Sequence, residues 1–214
     1  LLANAAGPLQ RHEDIGLNDA PGRVLAADLT ATVDIPPADN SAMDGYALRV
    51  ADWRAGGRLP IQQRCYAGDV PEPLKPGHAI RLFTGSLLPD GADTVVMQED
   101  TVEADNQVEI TRQPSPNQHI RRRGEDTMAG APLLPAGTVL QAAHVALLAS
   151  QGLARVSVVG QLRIGILTTG DELVPPGTPR APEQIYNSNG PMLAALARGL
   201  GALPVHVLHA RDTE

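Results

Sequence analysis

The sequence predicts a multidomain protein that combines an α+β part with the beginning of an α/β part, and three observations lead to this prediction. Residues 46–136 contain short strand patterns that are separated by turns rich in proline and glycine. Residues 141–153 have the apolar spacing of a helix. Residues 163–208 show the order strand, helix, strand that is typical of a βαβ unit.

These observations divide the chain into three regions. Residues 1–45 and 137–160 form a discontinuous domain around an inserted β domain at residues 46–136, and residues 161–214 begin an α/β domain. Two strands and one helix cannot complete a doubly wound sheet, so we expect the chain to be part of a longer protein.

The first region is expected to contain few regular elements before its helix. Residues 1–12 are small and unpatterned, as at the end of a helix, and Asp19–Arg23 begins a short helical patch. Gly152 suits the position just after the helix at residues 141–153, since glycine adopts positive φ without a steric cost.

The inserted β domain is predicted to be a small barrel or sandwich, because turns interrupt every strand pattern. Thr94–Met97 is a compact apolar strand, and Val108–Thr111 alternates between apolar and polar residues. Two further short strands are expected at residues 59–61 and 64–67.

Composition excludes several classes of function. A net charge of −7 and an aromatic content of 2% do not suit a nucleic-acid binder, which needs basic patches and stacking surfaces. No stretch approaches the ~20 apolar residues that span a bilayer, and residues 1–7 lack the features of a signal peptide. A single cysteine, Cys65, fits a reducing compartment, so we expect a cytoplasmic protein in which Cys65 is a small buried apolar residue.

Residues 34–47, the signature segment, have the sequence D-I-P-P-A-D-N-S-A-M-D-G-Y-A. Two prolines fix an extended entry, and Asp39 and Asp44 lie in tight turns just before a strand. A solvated loop that caps a strand explains this pattern as well as a functional site does.

Two other blocks contain residues that suit anionic ligands. Thr84-Gly85 follows a strand, where a hydroxyl and an amide could contact a phosphate, although a plain turn has the same sequence. Arg121, Arg122 and Arg123 form the arginine block, followed by Gly124, Glu125 and Asp126. Arginine binds oxyanions in bidentate geometry, and on a strand Arg121 and Arg123 would share one face while Arg122 occupied the other. A solvated charge run with internal ion pairs is the alternative.

The α/β region contains a candidate cation site. Asp171 and Glu172 follow the first parallel strand on a glycine turn, where ligands of open α/β sheets bind. Adjacent carboxylates there suit Mg²⁺, and a capping turn is the alternative. Ser188 lies where a helix begins, so it is either an N-cap or a contact for an anion.

Six sequence blocks follow one another along the chain: D-N-S-A-M-D-G-Y-A, T-G, P-D-G-A-D-T-V-V-M, I-R-R-R-G-E-D, T-G-D-E-L and Y-N-S-N. In these blocks and in their order the chain resembles the molybdopterin molybdenumtransferase family, which comprises the MoeA proteins and the E domain of gephyrin. The resemblance covers about the first half of a full-length member. It implies an elongated dimerisation domain, an inserted β domain and the start of a three-layer molybdopterin-binding domain.

The resemblance also implies an activity: insertion of molybdate into adenylylated molybdopterin, with Mg²⁺-assisted release of AMP. Members are homodimers that receive their substrate from molybdopterin-adenylyltransferase. Asp44, Thr84 and Asp126 of one subunit would then face Asp171 and Glu172 of the other. The resemblance makes Asp44, Thr84, Asp126 and Glu172 candidate catalytic residues and Asp171 with Glu172 candidate metal ligands. The arginine block and Ser188 are the candidate substrate-binding residues.

Two other functions remain open at this point. A dimerising scaffold or ligand-binding module could use the same fold without catalysis, and a different phosphoryl- or nucleotide-transfer enzyme could share the βαβ start. An insertion assay separates the first alternative from the transferase, and the identity of the released nucleotide separates the second.

Overall fold

The computed structural model describes residues 11–203 and 205–212, and it divides into two compact units. The first unit comprises residues 1–29 and 134–214, and the second comprises residues 30–133. The helix end expected at residues 1–12 lies outside the described residues up to residue 10, and His12 begins a strand.

The described residues form short strands, two α-helices and three single-turn 3₁₀ helices. In chain order the strands and α-helices are β1 (His12–Gly16), β2 (Leu29–Thr30), β3 (Asn40–Ser41), β4 (Gly45–Leu48), β5 (Arg58–Cys65), β6 (Ala79–Leu82), β7 (Thr94–Met97), β8 (Thr101–Ala104), β9 (Gln107–Ile110), β10 (Ile120–Arg121), β11 (Pro132–Leu134), α1 (Ala142–Ser150), β12 (Arg155–Val159), β13 (Ile164–Thr169), β14 (Leu173–Val174), β15 (Ile185–Tyr186), α2 (Asn189–Gly199) and β16 (Val205–Ala210). The 3₁₀ helices are Leu17–Asp19, Val50–Asp52 and Gln98–Asp100.

The second unit is built on one curled six-stranded sheet in the order β7-β4-β6-β5-β9-β8. Successive residues of a strand point to opposite faces, so Tyr46 and Leu48 of β4 join one apolar cluster and Ala47 joins the other. β7 has the predicted bounds, whereas the two strands expected at residues 59–61 and 64–67 are the single strand β5. Cys65 is fully buried in one of the clusters, as predicted.

The first unit contains the antiparallel pair β1–β12, helix α1 and the βαβ unit. β13 and β16 pair in parallel over six residues, and α2 connects them, as predicted. Gly152 ends α1 with a φ of 75°, in the predicted position. The predicted helical patch from Asp19 to Arg23 is wrong: Pro21 and Gly22 form a turn there, and Gly22 has a φ of 81°.

The second unit is accordingly a strand-rich module, and the first contains the α/β start. Neither helix in the described part of the chain is long and apolar enough to cross a membrane.

Candidate active site

Three acids of the signature segment bind different parts of the second unit. Asp34 and Asp39 contact the arginine block, and Asp44 contacts Thr84. Hydrogen bonds from backbone N–H groups hold the pKa of each of these three carboxyls below its usual range. The segment therefore presents acceptors that stay ionised at neutral pH.

The contact between Asp44 and Thr84 uses one carboxylate oxygen. Asp44 Oδ1 accepts hydrogen bonds from the Thr84 backbone N–H at 2.8 Å and from its hydroxyl at 2.9 Å. Thr84 is exposed, and because its hydroxyl donates to Asp44, the lone pairs of Oγ1 are available to a ligand.

The amides of the Thr84-Gly85 turn differ from the prediction. The sequence offered the Gly85 amide as a donor to an anion, but this amide donates to the Ser41 carbonyl at 2.9 Å. Thr84 N is likewise occupied by Asp44. The turn therefore contributes a hydroxyl oxygen to the surface, and its two backbone donors hold the turn in place.

The arginine block is neutralised by acids from within the chain. The Arg122 guanidinium donates to Asp39 Oδ2, and the Arg123 backbone N–H donates to Asp39 Oδ1 at 2.9 Å. Arg123 Nε donates to Asp34 Oδ2 at 2.5 Å. Arg121 Nη2 donates to Asp126 Oδ1 at 2.5 Å. These are internal ion pairs, as one of the two interpretations of the sequence expected.

The strand alternation expected for the arginine block does not extend through it. β10 ends at Arg121, and the chain then turns at Arg123 and Gly124, whose φ is 72°. Arg122 and Arg123 therefore both reach the signature segment, while Arg121 reaches Asp126. Alternation requires continued strand geometry, which is absent here.

Arg123 retains the largest unused donor capacity of the three. Its Nε contacts Asp34, and no described residue accepts from its two Nη atoms. Its side chain is 68% exposed, against 38% for Arg121 and 48% for Arg122. Four N–H donors on one planar group thus have no acceptor among the described residues.

The first unit holds the other acidic candidates, at the carboxyl end of β13. Asp171 and Glu172 are exposed, and Asp171 Oδ1 accepts the Asp212 backbone N–H at 3.4 Å. The Glu172 carboxylate folds over Gly170, where an added Cβ would lie 2.4 Å from Oε2. Gly170 has a φ of 135°, so the backbone conformation favours glycine there, whereas the flexible Glu172 side chain could move away from an added Cβ.

The number of carboxylates in this pair fits Mg²⁺. Mg²⁺ keeps several waters and is usually bound by one or two carboxylates together with substrate phosphates. Asp171 and Glu172 supply two such groups, and no group of three or more metal-ligating side chains occurs among residues 11–203 and 205–212. The donor set suits a cation shared with a substrate and not a cage built from protein alone.

Asn187 organises the beginning of α2, and the sequence indicated that the segment from Asn187 to Asn189 could cap this helix. Its Oδ1 accepts the Gly190 backbone N–H at 3.0 Å, and its Nδ2 donates to Thr168 Oγ1 at 2.9 Å. Ser188 occupies the N-cap position, but its side chain makes no capping hydrogen bond and is exposed. The hydroxyl of Ser188 is thus left for solvent or a ligand at the helix N-terminus.

The comparisons with known proteins agree with these features. Residues 1–152 match the model of the MoeA N-terminal region (domain I and II), and residues 165–214 match a probable molybdopterin binding domain. A molybdopterin molybdenumtransferase from a Nostoc species is 41% identical over an alignment of 214 positions, which covers 96% of this chain and 49% of the relative. The same-named protein of Haemophilus influenzae is 40% identical, over 83% of this chain and 44% of the relative.

Solved structures show the same fold. A molybdopterin biosynthesis MoeA protein from Pyrococcus horikoshii superposes with a TM-score of 0.87 at 32% identity, covering 99% of this chain and 58% of the other. A second crystal structure of that archaeal protein gives a TM-score of 0.86 at 30% identity and covers 56% of that chain.

The strand-rich unit and the βαβ unit together define a multidomain α+β and α/β protein. The chain belongs to the MoeA family, as the match to its N-terminal region shows. It spans about half the length of the curated relatives that it matches.

Proposed function

We propose that this chain acts in molybdenum cofactor biosynthesis, as the N-terminal half of a molybdopterin molybdenumtransferase. The reaction would insert molybdate into adenylylated molybdopterin and release AMP. The observation that supports this most directly is the 41% identity to a protein of that name, over 96% of this chain. Because the chain spans about half of that relative, activity is proposed for the two halves together.

The exposed groups suit the substrates of this reaction. Molybdate and a phosphoanhydride are both anions, and the exposed Arg123 guanidinium would bind one of them in bidentate geometry. Because molybdate and the phosphoanhydride have no proton to donate, the Thr84 hydroxyl oxygen would accept a hydrogen bond from an N–H or O–H group elsewhere on the adenylylated molybdopterin, while Asp44 holds the hydroxyl in place. Arg121 would orient the carboxylate of Asp126.

Asp171 and Glu172 are proposed to hold Mg²⁺ against the phosphoanhydride, where the cation would neutralise charge that develops on the leaving phosphate. Ser188 would contact the substrate at the N-terminus of α2, where the helix dipole favours an anion. We further propose that the enzyme is a homodimer whose site combines residues of both subunits, that molybdopterin-adenylyltransferase supplies the substrate, and that the protein is cytoplasmic.

The test is AMP release from adenylylated molybdopterin with molybdate and Mg²⁺ present or omitted. It is run on this chain alone and on this chain joined to the C-terminal half of the Nostoc relative. We expect the joined protein to release AMP only when both ions are present, and the chain alone to release none. Failure of a folded joined protein to release AMP, while the intact Nostoc relative does so, would contradict the proposal.

One observation favours a second candidate, a non-catalytic scaffold or ligand-binding module. Each side chain of the arginine block already contacts an acid of the same unit, as expected for a structural element. In that case the joined protein would release no AMP, and Arg123→Gln would only lower its stability. The transferase proposal expects the joined protein to turn over, and it expects Arg123→Gln to raise the KM for molybdate or for the adenylylated substrate several-fold, with little change in kcat.

A further inference from the structure

A buried arginine lies directly behind the contact between Asp44 and Thr84. Arg81 of β6 is 8% exposed and stands opposite Tyr46 in the β4–β6 pairing. No described carboxylate forms an ion pair with its guanidinium. The group donates instead to the Gly45 carbonyl at 3.2 Å and to Gln98 Oε1 at 2.6 Å.

Two aromatic rings enclose the same guanidinium. Its central carbon lies 5.0 Å from the ring centroid of Tyr46 and 4.9 Å from that of Phe83. Phe83 in turn stacks on Tyr66, with ring centroids 4.5 Å apart and planes inclined by 7°. The charge is therefore stabilised by π faces and by amide and carbonyl oxygens, without a directly paired carboxylate.

A buried charge without a paired acid is costly, so a role for it is expected. Two of the contacts of Arg81 indicate that role, because each of these two residues is adjacent in sequence to a member of the candidate site. Gly45, which accepts from Arg81, follows Asp44, and Phe83, which stacks on Arg81, precedes Thr84. One rigid planar group thus holds both chain segments whose side chains meet.

We infer that Arg81 is a positioning residue, which fixes Asp44 and Thr84 at hydrogen-bonding distance and thereby presents the Thr84 hydroxyl to substrate. Its catalytic consequence rests on the proposed function, whereas its effect on geometry does not. The electrostatics agree: the Thr84 hydrogen bonds are the main cause of the lowered pKa of Asp44, and the nearby charge of Arg81 contributes to it.

The experiment compares Arg81→Met, Arg81→Lys and the control Arg58→Met. Met keeps the length of the side chain without the charge, and Lys keeps the charge without the planar fork. Arg58 lies on the neighbouring strand β5, is 44% exposed and pairs with Glu109 at 3.7 Å, so it tests loss of an arginine from the same sheet.

The first readout is hydrogen exchange of the Thr84 amide in this chain, followed by NMR relative to the Val95 amide of β7. Loss of Arg81 weakens the hold on the Asp44 acceptor, so both Arg81 variants should exchange roughly tenfold faster at Thr84, the change expected for about one net hydrogen bond. Arg58→Met should match the wild type. If Arg81→Met does not fold, Arg81→Lys decides the outcome, and exchange within about twofold of wild type would overturn the inference.

The second readout is turnover of this chain joined to the C-terminal half of the Nostoc relative. A positioning role predicts a lower kcat with little change in KM for both Arg81 variants, and normal turnover for Arg58→Met. Faster Thr84 exchange together with wild-type kcat would overturn the positioning role. If no joined protein shows turnover, the proposed function fails, and the exchange data still decide whether Arg81 fixes the Asp44–Thr84 contact.

Discussion

Replacement of Gly45 by Ala should separate β4 from β7 and disturb Asp44, which precedes Gly45. A Cβ added at residue 45 would lie 2.1 Å from the Val96 carbonyl oxygen and 3.1 Å from the Met97 Cα. The φ of Gly45 lies outside the left-handed region, so lack of space is the entire cause. The atoms in the way belong to the backbone, and no side-chain rotation can relieve the clash.

The expected cost follows from this geometry. Overpacking a well-filled site usually costs 1–3 kcal/mol, and a clash with backbone between paired strands belongs at the upper end, so we expect about 3 kcal/mol. For a chain of 214 residues this corresponds to a fall in Tm of roughly 6–12 °C.

The single tryptophan provides the assay. Trp53 packs against the apolar cluster of the second unit, and its Nε1 donates to the Ile110 carbonyl at 3.2 Å. Urea unfolding followed by Trp53 fluorescence therefore reports on the unit that contains Gly45, while circular dichroism at 222 nm reports on α1 and α2 of the first unit.

Gly165→Ala is the matched control, because Gly165 also lies in a strand with ordinary φ, and an added Cβ would meet no atom within 4 Å. We expect it to change the unfolding free energy by less than about 0.5 kcal/mol. The steric reasoning would be refuted if Gly45→Ala, measured by Trp53 fluorescence, were as stable as the wild type.

Three further predictions concern other contacts. Asp39→Asn should cost about 1 kcal/mol of unfolding free energy at pH 7, a value already reduced for solvent screening. Because the Arg123 N–H and then the Arg122 guanidinium lower the pKa of Asp39, this contribution exists above the pKa of Asp39 in the unfolded state and is lost as the pH falls through its pKa in the folded state. Urea unfolding at low pH should therefore show equal stability for Asp39→Asn and the wild type, and a difference that persisted there would contradict the assignment. Asn187→Ala should destabilise the start of α2 by about 1 kcal/mol, and unchanged unfolding by circular dichroism would refute the capping role. Cys65 should react slowly with a thiol reagent at pH 7 and fast in urea, because burial raises the pKa of its thiol; rapid reaction of the native chain would exclude the buried position.

Local patterns in the sequence predicted those elements whose formation depends on neighbouring residues. β7, α1 and the βαβ unit from β13 to β16 all have apolar periodicity that a short window reveals. The predicted helical patch at Asp19–Arg23 was wrong because Pro21 and Gly22 favour a turn.

The contacts of the candidate site could not be predicted in the same way. Asp39 and Arg122 are 83 residues apart, and Asp34 and Arg123 are 89 residues apart, so their pairing depends on the fold of the whole second unit. The charge of Arg81 predicts an exposed position, but all four residues of β6 are buried, and only the sheet with its aromatic neighbours explains the burial of this arginine. One sequence signal could have indicated the burial of Arg81: a charged residue flanked by apolar residues within a strand that is otherwise buried.

The central claim is that the exposed Thr84 hydroxyl, held by Asp44, serves molybdate insertion. The most direct measurement is molybdate-dependent AMP release by this chain joined to the C-terminal half of the Nostoc relative, compared between wild type, Thr84→Val and Thr111→Val. Thr111 also has an exposed hydroxyl in the second unit, which donates to the Asp100 carbonyl at 2.8 Å, so it controls for loss of a threonine. The account predicts a loss of about tenfold or more in kcat for Thr84→Val, corresponding to about 1.4 kcal/mol of transition-state stabilisation, and normal turnover for Thr111→Val. Equal turnover by all three folded proteins would contradict it.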